Sequence, residues 1–146
     1  MAKQKTFTLK EANMLLPVLD SLIKRAVEGK ELVEQLEKEF QDLHHKIFLA
    51  GGTLVNITEV SLRKATRDKA VQSIKDSIAE IHATGVQVKD LDKGLLDFPA
   101  EVEGEIVLLC WKIGEGHNIQ HWHGVEEGFA GRKPIATLFK DSEKPN

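Results

Sequence analysis

The chain has a single cysteine, little net charge and no long apolar run, and each shortage closes off a class of function. One cysteine in 146 residues cannot form an internal disulfide, so the expected setting is a reducing compartment. A formal net charge of -3 at pH 7 gives no general affinity for phosphate backbones. No run of basic residues stands out either, and nucleic acid is not an expected partner. The N-terminus, MAKQKTFTLKEAN, is basic but lacks the apolar core of a signal peptide, and no later segment is long enough to span a bilayer. These absences predict a soluble, cytoplasmic protein with no membrane partner.

What is present describes one domain. An apolar content of 41% with 29% charged residues is a globular composition rather than a disordered one. The length is about that of a single domain. The first half carries a heptad seam of Leu15, Leu19, Leu22, Ala26, Gly29, Val33, Leu36, Phe40, Leu43 and Ile47. Thr8 with Glu11 reads as a capping box at its start. Pro17 should kink this helix or shift its start, and Gly51-Gly52 should end it. A second helix is expected from Thr58, as N-cap, to Thr84, with Val71, Ile74, Ile78 and Ile81 on its seam and Gly85 as its stop. Two such helices on a short linker predict an antiparallel hairpin.

After Gly85 the period changes. VQVKDL and LLDFP read as short extended segments, the second stopped by Pro99. EIVLLCWKI reads as a strong central strand and IQHWH as another, with turns at AEVEGE and GEGHN. Short connections favour an antiparallel meander. The expected fold class is therefore α+β: two long N-terminal antiparallel helices packed with a small C-terminal antiparallel sheet. The division is a hairpin over 1–84, a β-rich part over 85–140 and a disordered polar tail over 141–146, all within one domain.

The run GVQVKDLDKGLLDFPAEVEGEIVLLCWKIGE, then HWH and GFAGRKPI, resembles an uncharacterised bacterial family known as domain of unknown function 2203. The opening FTLKEANMLLPVL is similar to that family's first segment. The resemblance implies a single-domain cytosolic protein with a helical first part and a small β-rich second part. It brings no established activity and no assigned catalytic residues.

Candidate chemistry sits in the last third. His121 and His123 lie two apart on an expected strand, so both project from one face, where imidazoles can share a metal. His117 in the preceding turn could supply a third ligand, and Asp97 could complete the shell or orient a ring. Cys110 would join only from the same face; otherwise it is a small core residue with a high pKa. A buried Asp97 would need a partner, for which Arg132 or Lys112 would serve. The glycine-rich GFAGR turn could present Arg132 to an anion, although it is neither a P-loop nor a dinucleotide fingerprint. Its Phe129 is expected to plug the core. Trp111 and Trp122, on adjacent strands, are expected to serve packing or an interface.

The leading functional expectation is a homodimeric structural or interaction protein that buries its heptad faces against a partner. The alternative is a metal-binding protein, a hydrolase by class, that uses the strand histidines with a divalent metal such as zinc. A third reading is a small anionic ligand held by Arg132 and a histidine. Enzymatic activity is left open by the residues.

Overall fold

A computed structural model describes residues 5–51 and 56–138. Helix α1 spans Leu9–Leu49 and α2 spans Ile57–Ala83. They are followed by β1 (Gln87–Asp90), β2 (Leu95–Val102), β3 (Glu105–Lys112), β4 (His121–Gly124) and β5 (Lys133–Pro134). The strands form one antiparallel meander in the order β1-β2-β3-β4-β5. The expected hairpin and sheet are both present. The expected tail over 141–146 and most of the linker between the helices lie outside the described residues.

The start of α1 follows from its cap. Thr8 accepts from the Glu11 backbone N–H at 3.1 Å, and the Glu11 carboxylate accepts from the Thr8 N–H at 2.9 Å. That reciprocal pair satisfies two donors the helix would otherwise leave open. Pro17 does not shift the start. It lies on an exposed stretch of the helix surface, with Val18, so the hydrogen bond it forgoes is lost towards water. Helix α2 begins two residues earlier than the Thr58 cap predicts. Asn56 is the N-cap, and its side-chain oxygen accepts from the Glu59 N–H at 3.0 Å. Asn caps at least as well as Thr, and the Asn-x-x-Glu spacing uses it. The helices come close at Gly29, where a Cβ would lie 2.9 Å from Ile74 Cγ1.

The strand through LLDFP runs past Pro99 to Val102, where the sequence predicts a stop. Within a strand a residue's nitrogen and carbonyl point to the same side. The Pro99 carbonyl accepts from the Phe7 N–H at 2.7 Å, so the proline nitrogen faces the N-terminal segment and not β3. No ladder bond needs the missing N–H. The next turn is tight: Val102 pairs with Glu105, and Glu103 and Gly104 both have positive φ, 53° and 82°. That is the two-residue geometry that matches strand twist.

The sheet's inner face carries Leu96, Phe98, Ala100, Val107, Leu109 and Trp111. It packs on Phe7, Leu16, Leu19 and Ile23 before and in α1, and on Ile81 of α2. Trp111 is buried there and donates through Nε1 to the Gly116 carbonyl at 2.8 Å. The half-buried Trp122 packs against the same core and donates to Thr137 Oγ1 at 3.0 Å. By strand alternation the outer face carries Leu95, Asp97 and Pro99 from β2, Leu108, Cys110 and Lys112 from β3, and His121 and His123 from β4. The central strand is therefore apolar on both faces, as its sequence predicts, and the helices cover only one.

Candidate metal centre

Three residues on adjacent strands meet on the outer face. Asp97 of β2 is the cross-strand partner of Cys110 in β3, and Cys110 is the partner of His121 in β4. His123, two residues on, returns to the same face. Asp97, Cys110 and His123 are 0%, 0% and 1% exposed. A carboxylate oxygen, the thiol sulfur and an imidazole nitrogen from these three lie within 4.8 Å of one another. From the loop after β4, Arg132 Nη2 reaches the Cys110 carbonyl at 3.4 Å.

The hydrogen bonds of His123 decide how the cluster is wired. Nδ1 lies 2.8 Å from the Gly124 carbonyl, which can only accept, so Nδ1 carries a proton. Neutral imidazole then presents the Nε2 lone pair, and Nε2 faces Asp97 Oδ1 at 3.1 Å. Two acceptors in that position need a cation between or beside them, whether a proton or a metal ion. Asp97 Oδ2 is also buried, with no hydrogen-bond partner among the described residues, and an unsatisfied buried acceptor is costly. A backbone carbonyl on the far nitrogen is the usual way a ligating histidine is oriented.

Around zinc, bonds of about 2.0–2.3 Å put tetrahedral ligand atoms about 3.3–3.8 Å apart. The observed separations, 3.1 Å for one pair and at most 4.8 Å for the rest, bracket that range. A carboxylate and a thiolate would neutralise a divalent ion, which lowers the cost of burying it. Burial, with the Asp97 charge beside it, pushes the Cys110 thiol up to about 12. Without a metal the sulfur is therefore a neutral thiol and a poor nucleophile.

The other expected site residues are placed differently. His121 shares the face but turns to Glu115, with Nδ1 buried, without a hydrogen bond among the described residues and 3.8 Å from Glu115 Oε2. His117 lies apart, on the loop that crosses to the helices, with Nε2 3.1 Å from Asp20 of α1. Arg132 does not reach Asp97. It binds Glu115 Oε1 at 2.6 Å, so the partner of Asp97 is His123 and not Arg132 or Lys112. Burial works against the Glu115 carboxylate, but the Arg132 hydrogen bond, with the Lys112 N–H, holds its pKa below the ordinary range. Glu127 caps the turn after β4 by accepting from the Gly124 N–H at 2.8 Å. Phe129 does not plug the core; it is 36% exposed, with cations around its ring. Sequence reasoning left out Glu115, whose role depends on a turn bringing it under Arg132.

No curated protein and no solved structure matches the chain. No helix among the described residues is long and apolar enough to cross a membrane. The model of a family described as an uncharacterized conserved protein, DUF2203, matches residues 5–135, which takes in the helical hairpin, the sheet and every residue of the cluster. The chain belongs to that family.

Proposed function

We propose that this is a metal-binding protein whose ion is held by Asp97 Oδ, Cys110 Sγ and His123 Nε2 on the outer face of the sheet. The carrying observation is the buried Nε2 lone pair set 3.1 Å from a carboxylate that has a second, unpartnered oxygen. Nitrogen, oxygen and sulfur donors together suit zinc or a similar borderline ion. Three protein ligands leave a fourth coordination position for water, the arrangement of hydrolytic rather than closed structural zinc. Zinc at about 100 times its dissociation constant should stabilise the fold by about 2.7 kcal/mol. Thermal unfolding with and without added zinc reads this directly. The wild-type midpoint should rise with zinc and that of Cys110→Ser should not. Equal midpoints for wild-type protein with and without zinc would remove the metal and leave a proton-bridged Asp97–His123 pair.

A second reading concerns the helices. Beyond Leu36 in α1 and before Ala70 in α2 no described residue is buried, so the hairpin ends in a two-helix arm about 20 Å long, at 1.5 Å per residue. Phe48 and Ile57 at its end are 77% and 78% exposed, and a groove of about 410 Å³ runs between the helices, bordered by Phe40, Leu43 and Val60. On this arm α1 carries Glu37, Glu39 and Asp42 against Lys38 and Lys46, and α2 carries Arg63, Lys64, Arg67 and Lys69 against Glu59 and Asp68, so the arm's net positive charge lies on α2. Within one chain Arg63 binds Glu39 at 3.0 Å. A second copy related by a two-fold axis can repeat that match, α1 over the partner's α2, while covering the apolar groove. We read the arm as the homodimer interface.

A further inference from the structure

The chain shows no basic run, yet the fold assembles one. Lys93 from the turn between β1 and β2, Lys112 at the end of β3 and Arg132 from the loop after β4 converge on Phe129. Their cationic groups lie 5.7, 5.9 and 4.7 Å from the centre of its ring. Arg132 is paired with Glu115. Among the described residues neither Lys93 nor Lys112 has a carboxylate within ion-pair distance. The nearby turn acids are engaged elsewhere: Asp90 accepts from the Lys93 backbone N–H at 3.2 Å, and Asp92 binds Lys30.

Two unpaired ammonium groups held near one ring repel each other, and the weak attraction of an aromatic face offsets little of that. A bound anion would offset it directly. Arg132 is held in place beside the two lysines: its side chain is 13% exposed and tied through Nη2 to Glu115 and the Cys110 carbonyl. The loop shape that sets this up needs glycine. Gly128 has φ 68°, and a Cβ at Gly131 would lie 2.7 Å from Glu127 Cβ.

We propose that this corner is a phosphate-binding site, in which the ammonium groups of Lys93 and Lys112 take one phosphate group beside the Arg132 guanidinium. The two uncompensated charges match a phosphate dianion. The site adjoins the Asp97–Cys110–His123 cluster through the Arg132 bond to the Cys110 carbonyl, but it needs no metal.

The test is calorimetric titration of the full chain with inorganic phosphate, pyrophosphate and citrate at low salt. Phosphate or pyrophosphate should bind saturably to wild type and at least about tenfold more weakly to Lys93→Gln/Lys112→Gln, with circular dichroism confirming that the variant is folded. Both lysines reach solvent, so the fold should survive. Wild type without saturable phosphate binding, unchanged affinity in the double variant, or citrate binding as tightly as phosphate would each overturn the proposal. Cys110→Ser separates this site from the metal centre. Retained phosphate affinity there supports the cation site, whereas lost affinity means that phosphate binds through the metal, which overturns this proposal and leaves the metal centre standing.

Discussion

Cys110 shows at the scale of one residue how burial sets chemistry. Fully buried, with its thiol pushed up to about 12 by desolvation and the Asp97 charge, it should resist iodoacetamide at pH 8 in the folded, metal-stripped protein and react fully once urea unfolds it. Rapid alkylation of the folded protein would show an accessible thiolate and contradict this placement. Glu115 makes a pH prediction. Its folded pKa lies below the ordinary 4.5, so its contribution is fully present above about 4.5 and is lost as pH falls through the lower folded value. Glu115→Gln should therefore be less stable than wild type near neutrality, with the gap closing in acid, read by urea unfolding between about pH 7 and pH 3. A gap that stays constant across that range would remove the linkage.

Elements were more legible in the sequence than the contacts between them. The Thr8–Glu11 box, the seam of α1 and the single-face placement of His121 and His123 all follow from local spacing, because helices and strands impose fixed periods. The membership of Cys110 in the cluster does not. It depends on the register that sets Asp97 opposite Cys110 and Cys110 opposite His121, and register is a property of paired strands. The surroundings of Lys93, Lys112 and Phe129 were hidden for the same reason, since two turns and a strand end meet only in the folded chain. The extension of β2 through Pro99 was unreadable because the Phe7 segment that makes it harmless is 92 residues away in sequence (99 minus 7). Gly29 offers an element-scale test. Helix propensity favours almost any replacement, but a side chain there would press on Ile74. Gly29→Val should cost about 1–3 kcal/mol in denaturant unfolding by forcing α1 and α2 apart. A neutral or stabilising result would show that the helices do not approach as described.

For the whole molecule, two regions divide the work. The core between α1 and the inner face supports the sheet, and the outer face then carries Asp97, Cys110 and His123 on three adjacent strands, whose positions are better fixed than those of a loop. The arm holds no buried described residue and carries exposed apolar side chains, among them Phe48, Ile57 and Leu62. If the arm is the interface, the protein should sediment as a dimer at micromolar concentration. Phe48→Glu with Leu62→Glu should then yield a folded monomer with an unchanged metal site, since both side chains are exposed in one chain, 77% and 64%. A wild-type monomer would retire the interface.

The most direct test of the central claim is cobalt(II) titration of the metal-stripped protein, followed by optical absorption. The Asp97–Cys110–His123 centre predicts a stoichiometric thiolate-to-cobalt charge-transfer band with tetrahedral ligand-field bands, lost in Cys110→Ser and displaced by zinc. A spectrum of hexaaquo cobalt alone, or the same spectrum in wild type and Cys110→Ser, would contradict it.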